Sequence, residues 1–235
     1  MDDKIEKLER DLRRLKLYAF LLTAALMWLV LAGFQSKPDN HGILRTRGLI
    51  IEDQTGRERI LLGAPIPPAT NRVRTDLTRV KEIWAKRFPK EYMKWYQAYR
   101  HDMNGLLILD EKGFDRVAVG DPVPDPNIGK RIAPSTGIEI NDEQGFERSG
   151  YGLLKVQDRY RVVLGLDSAK GTEGLTLALF DDGPIGLGVH DSDRTLYLGT
   201  APPESPLTKI SEPFHGLLLR NGAEVKYEVN AARGK

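Results

Sequence analysis

A chain of 235 residues, 40% hydrophobic and 29% charged, is long enough for one sizeable folded domain plus an appendage and too apolar to be disordered. It contains no cysteine, which excludes disulfides, thiolate metal sites and cysteine nucleophiles. The formal net charge of +2 conceals an uneven distribution along the chain.

Residues 1–16 are expected to form a cytoplasmic amphipathic helix, in which Ile5, Leu8, Leu12 and Leu15 recur at steps of three and four, the seam of a helix pair. The run Leu17–Phe34, "LYAFLLTAALMWLVLAGF", carries no charge and as a helix reaches about 27 Å, near the hydrocarbon thickness of a bilayer. It reads as a single transmembrane helix over 17–34, with Tyr18 and Trp28 as interfacial anchors. A cleaved signal peptide, with Val30 and Ala32 at the −3 and −1 positions, is the alternative. Lys4, Lys7, Arg10, Arg13, Arg14 and Lys16 precede the run, so the expected placement is a bacterial inner membrane, single-pass, with the N-terminus cytoplasmic and the bulk of the chain periplasmic. Residues 35–47 read as a linker.

From residue 48 to 235 the pattern is that of a β-hairpin domain. "GLIIEDQTGRERILLG" (Gly48–Gly63), "GLLILDEKGFDRVAVG" (Gly105–Gly120) and "GIEINDEQGFERSGYG" (Gly137–Gly152) follow one frame, G-φ-x-φ-x-D-x-x-G-x-x-R-x-x-x-G, where φ is apolar. Alternation along a strand puts Leu49, Ile51, Ile60 and Leu62 on one face of the first unit, and Leu106, Ile108, Val117 and Val119 on one face of the second. The third keeps Ile138 and Ile140 but has Ser149 and Tyr151 afterwards, so its second strand is expected at an edge. Asp53, Asp110 and Asp142 are expected to accept backbone N–H bonds at the start of each turn, and Gly56, Gly113 and Gly145 to take positive φ at its end. Arg59, Arg116 and Arg148 fall at the solvent parity of the second strand, where cross-strand ion pairing is the expected role. Further hairpins follow in "GLLKVQDRYRVVLG", "GLTLALFDDGPIGLGV", "GLGVHDSDRTLYLG" and "LLLRNGAEVKYEV". The fold class expected is mainly β: one transmembrane helix, then antiparallel hairpin repeats as a sandwich, partial barrel or repeat stack, or a trimeric β-prism if the apolar faces are buried between chains. The repeated phrase resembles the D-x-x-G-x-x-R hairpins of phage tail-fibre and other trimeric β-rich stalk proteins, a resemblance that carries no functional residues.

A helical insertion, 73–102, interrupts the hairpins. Leu77, Val80, Trp84, Phe88, Tyr92, Trp95 and Tyr99 form one amphipathic stripe, Asp76 with Thr75 supplies a helix start, and Pro89 is expected to kink or restart the helix. Nine basic residues against three acidic ones between Asn71 and His101 leave this segment strongly positive. The stripe with Arg87 and Lys94 is the candidate contact surface for a partner or an anionic membrane; packing on the chain's own sheet is the other reading.

No nucleophile elbow, P-loop or dinucleotide fingerprint occurs, and His41, His101, His190 and His215 lack metal-ligand spacing. "HDSD" (His190–Asp193) reads as a turn, and "LGLDSAKG" lacks the spacing of a Ser–Lys nucleophile pair. No enzyme, cofactor, metal or nucleic-acid role is expected. The preferred expectation is a non-catalytic accessory or assembly subunit of a membrane complex, held to other membrane subunits by its span and β domain. In plan the chain resembles the single-span accessory subunits of bacterial photosynthetic reaction-centre and light-harvesting complexes, which would imply a photosynthetic or other energy-transducing setting. The alternatives are a homotrimeric envelope stalk and an envelope carbohydrate-binding or hydrolytic domain.

Overall fold

The computed structural model describes residues 2–33, 44–124, 133–181, 183–205 and 207–232. The chain divides into two units, Met1–Arg45 and Thr46–Lys235. In the first, α1 (Asp2–Gly33) is continuous through the expected boundary between residues 16 and 17, because no proline or internal glycine interrupts it before Gly33. All its described side chains, residues 4–30, are exposed.

The expected membrane span is corrected here. No helix among the described residues is long and apolar enough to cross a membrane. The first half of α1, up to Lys16, is rich in charged residues, and the uncharged run Leu17–Gly33 that follows makes about 25 Å of helix against roughly 30 Å of hydrocarbon. Phe34 and most of the expected linker lie outside the described residues. The single-pass placement, and the cytoplasmic and periplasmic assignments that depended on it, fall with the span.

The second unit is built on one sheet of twelve antiparallel strands in strict chain order. They are β1 (Gly48–Glu52), β2 (Glu58–Gly63), β3 (Gly105–Leu109), β4 (Asp115–Gly120), β5 (Ser135–Asn141), β6 (Glu147–Val156), β7 (Arg159–Asp167), β8 (Glu173–Phe180), β9 (Ile185–Asp191), β10 (Arg194–Ala201), β11 (Phe214–Asn221) and β12 (Glu224–Asn230). β1 and β12 each pair on one side only, so the sheet neither closes into a barrel nor splits into a sandwich. Contrary to the edge expected for the third unit, β6 lies inside the sheet: it extends to Val156 and pairs with both β5 and β7. Its second half is shared with the next hairpin, which is why Tyr151 there faces neighbours on both sides.

Register follows the glycine spacing of the sequence. Gly48, Gly63, Gly105, Gly120, Gly137 and Gly152 are consecutive cross-strand partners and form one row across six strands. A Cβ at Gly105, where φ is +148°, would stand 2.0 Å from the Val119 carbonyl oxygen, so the close approach of β3 and β4 requires glycine.

Among the described residues of the second unit, packing covers one face of the sheet. Leu61, Leu107, Leu109 and Ala118 on that face pack with Ile66, Met103 and Val123 from the connections. Further along, Tyr197, Leu218, Ala201 and Phe214 pack with Ile210 from the β10–β11 connection. Between β2 and β3 the insertion supplies 3₁₀ turns at Val73–Thr75 and Ala85–Arg87, α2 (Leu77–Ile83) and α3 (Tyr92–Ala98). The Asp76 carboxylate caps α2 by accepting from the N–H groups of Thr78 and Arg79, and the chain is extended at Phe88, before Pro89, ahead of α3.

Candidate functional site

The repeated turns are structural, and their geometry is uniform. Asp53 Oδ1 accepts from the N–H groups of Thr55 and Arg57, at 2.9 and 3.2 Å. Asp110 Oδ1 accepts from Lys112 and Phe114 (2.8 and 2.9 Å), and Asp142 Oδ1 from Gln144 and Phe146 (2.9 and 3.0 Å). Gly56, Gly113 and Gly145 sit at φ of +77°, +82° and +75°, each closing a three-residue hairpin loop with a bulge in the strand after it, at Arg59, Arg116 and Arg148. A fourth copy, which the Asp-based frame misses, is Ser168–Gly171: Gly171 N–H donates to the Ser168 carbonyl and φ is +73°. The serine and lysine of "LGLDSAKG" are thus turn residues.

The repeat arginines tie each unit to the next. Nε of Arg59, Arg116 and Arg148 donates to the carbonyl of Leu109, Asn141 and Asp167 respectively, at 2.9–3.1 Å. Cross-strand ion pairing is therefore a partial description. Arg59 also meets Asp53 Oδ2 at 3.3 Å, within its own hairpin.

A buried ionic cluster, unforeseen from the sequence, anchors the insertion. Asp115 accepts from Arg72 Nε (2.8 Å), Arg72 Nη2 (2.5 Å) and Arg74 Nε (2.9 Å), and all three side chains are at most 6% exposed. Burial opposes ionisation of Asp115, but the two guanidiniums outweigh it and hold its pKa below the ordinary carboxylate value. His101 stands beside Arg74 at 3.3 Å, its other ring nitrogen 2.9 Å from the Tyr96 carbonyl. Burial, then Arg74, push its pKa down to about 4, so near neutral pH it donates from Nε2 and accepts at Nδ1. In the first hairpin, Glu58 sits in the matching position and accepts from the N–H groups of Thr70 and Asn71 and the Thr70 hydroxyl. The missed signal is the acid immediately before each repeat arginine: Glu58, Asp115 and Glu147.

The aromatic stripe belongs mostly to this chain's own core. Trp84 and Tyr92 are 2% and 1% exposed, and the Trp84 indole donates to the Gln144 carbonyl at 2.7 Å. Phe88 stacks on Tyr92 at 4.5 Å and approaches Phe146; Arg87 lies over the Phe146 ring and donates to Gln144 Oε1. Tyr99 is half-buried against His101. Of the seven residues expected to meet a partner or membrane, Trp95 (42% exposed) and Lys94 are left on the surface without such packing. The expected contact surface is accordingly withdrawn for Trp84 and Tyr92: their rings fill the space over the second and third repeat turns, against Phe114 and beside Gly145.

What the described residues of the second unit leave uncovered is the other face of the sheet. Cross-strand partners run Leu49–Leu62–Leu106–Val119–Ile138–Tyr151–Leu164–Leu177–Leu187–Leu198–Leu217–Val229, one apolar residue from every strand in a single row. A second row runs beside it through Ile51, Ile60, Ile108, Val117 and Ile140, and returns beyond Ser149 as Leu166, Leu175, Val189, Leu196, Leu219 and Tyr227. None of these side chains is buried. A shallow apolar depression of about 440 Å³ lies within the strip, lined by Tyr151, Val162, Leu164, Leu177, Leu179, Ile185 and Leu187.

Elsewhere, a cleft of about 470 Å³ borders Pro65, Tyr99, Met103, Asn104, Pro122 and Pro134, and its charged residues, Arg100 and Asp102, pair with each other at 2.7 Å. Among the described residues no group of three or more His, Asp or Glu side chains is placed to hold a metal ion. Of His190–Asp193, the first two residues end β9 and Ser192–Asp193 make the β9–β10 turn; His41 lies outside the described residues. The fold and this surface define a class: an antiparallel β-meander one sheet thick, with one face covered by the described residues of its own unit and one apolar face left bare by them. Comparison with protein-family models, curated proteins and solved structures found no match.

Proposed function

We propose that this protein is a non-catalytic structural subunit that works by contact through the bare face of its sheet. The carrying observation is the apolar strip itself, continuous over twelve strands and covered by no described residue of the second unit. Single-domain proteins rarely expose contiguous apolar patches beyond about 300–600 Å². The residues of this strip that are more than a third exposed range from Val119 at 36% to Tyr151 at 53%, and together they present on the order of 1,300 Å². Solvent-facing antiparallel sheets ordinarily alternate apolar and polar faces, whereas on this face, Ser149 apart, the polar side chains sit toward the strand ends.

The absence of cysteine makes a direct test simple. Leu177→Cys, in the strip, and Lys170→Cys, in the exposed β7–β8 turn, are expressed in the source cell and exposed to a maleimide before and after denaturation. The Leu177 position should be protected until denaturation and the Lys170 position should label at once. Equal labelling of both in the native state would sink the contact reading.

A further inference from the structure

Resting on that reading, we infer that the occupant of the bare face is a second copy of this chain, so that the protein assembles as a homo-oligomer with its apolar strips packed sheet to sheet.

The first argument is self-complementarity. A surface used between copies must fit itself, and most surfaces do not. This strip is two to three side chains deep and repeats the same two-row apolar pattern at every strand except β6, where Ser149 stands in the second row, so it matches its own copy in more than one offset and in either direction. With strands about 4.8 Å apart it extends roughly 50 Å across the sheet. A compact globular partner would cover only part of so long and narrow a strip. An identical strip covers all of it.

The second argument is charge. Between the strand ends the two rows contain no ionisable side chain other than the phenols of Tyr151 and Tyr227, so two copies meet without like-charge repulsion or desolvated ions. The third is area: roughly 1,300 Å² of exposed apolar surface per copy exceeds the ~800 Å² that each partner gives to a stable complex. Sheets packed face to face at about 10 Å would bring these rows into contact.

The other unit independently presents a surface of the same kind. Ile5, Leu8, Leu12 and Leu15 of α1 are 50–75% exposed at the three-and-four spacing by which one helix packs on its own copy.

The test uses the full chain. Its mass in solution, by sedimentation equilibrium at micromolar concentration, should be two or three times the 26.4 kDa of one copy. Leu177→Asp with Leu198→Asp should raise the concentration needed for assembly at least ~100-fold, about tenfold for each buried leucine replaced. Should that variant fail to fold, a second measurement stands apart from it. Leu198→Cys treated with a short bis-maleimide should give a band at twice the chain mass, and Lys170→Cys should not. A monomer at all concentrations overturns the inference. So does a Leu198→Cys adduct, recovered from the source cell, that contains a different protein; in that case the contact reading survives and its partner is another chain.

Discussion

Replacing Asp115 by alanine should be among the most damaging single changes on the covered face. The carboxylate receives three charge-assisted hydrogen bonds from Arg72 and Arg74, all within 2.9 Å and shielded from solvent. Its removal leaves two guanidiniums in the interior without a counter-charge, a situation that costs about 3–5 kcal/mol. Marginal stabilities are only about 5–15 kcal/mol, and a domain of this size loses about 2–4 °C per kcal/mol, so the expected fall in Tm is roughly 6–20 °C. Urea unfolding at fixed protein concentration reports it directly, because Trp84 lies in the cluster the ion pair anchors. Glu224→Ala, which removes only an exposed pair with Lys226, should change stability by less than ~0.5 kcal/mol. The triple variant Arg72→Met, Arg74→Met, Asp115→Leu should recover part of the loss by removing the charges together. A loss below about 1 kcal/mol for Asp115→Ala would refute the view that this pair anchors the insertion.

His101 binds its proton near pH 4 in the folded chain but near 6.5 when unfolded, so the unfolded state takes up more protons between those values. Stability should be full above pH 6.5 and fall as the pH is lowered toward 4, by up to about 3 kcal/mol; His101→Gln should flatten that window in acid titrations. Gly113→Ala should cost well over 2 kcal/mol, since its Cβ would stand 1.8 Å from the Asn71 carbonyl oxygen, whereas Gly56→Ala, with open space around it, should cost about 1 kcal/mol for positive φ alone. Equal thermal shifts for the two would defeat the claim that the insertion closes over the second turn. Trp84→Ala should destabilise by about 3–5 kcal/mol and Trp95→Ala by less than about 0.5 kcal/mol, a contrast readable by calorimetry.

The turns were the most legible part of the sequence, because Asp, Gly and their spacing act within five residues and need no distant neighbour. Strand register was legible for the same reason: each short loop leaves little freedom in pairing. Fates of apolar faces were not. Periodicity told that Leu49 and Ile51 share a face with Leu62, and Trp84 one with Tyr92, but not what lies against either, since that depends on contacts such as Trp84 with Gln144. Hence the stripe expected to reach outward is mostly interior, while the hairpin face expected to be buried is open among the described residues of the second unit. The ionic cluster escaped notice because Asp115 looks like any charged strand residue until the segment carrying Arg72 and Arg74 is folded over it.

A meander whose every strand pairs only with its sequence neighbours is, energetically, a one-dimensional array. Each hairpin gains its cohesion from the one before and the one after, so the sheet can form hairpin by hairpin in the order of synthesis, with few distant loops to close. A whole hairpin can also be gained or lost by duplication or deletion without rethreading the rest. The repeated phrase is therefore a unit of length, and the number of its copies sets how far the apolar strip reaches.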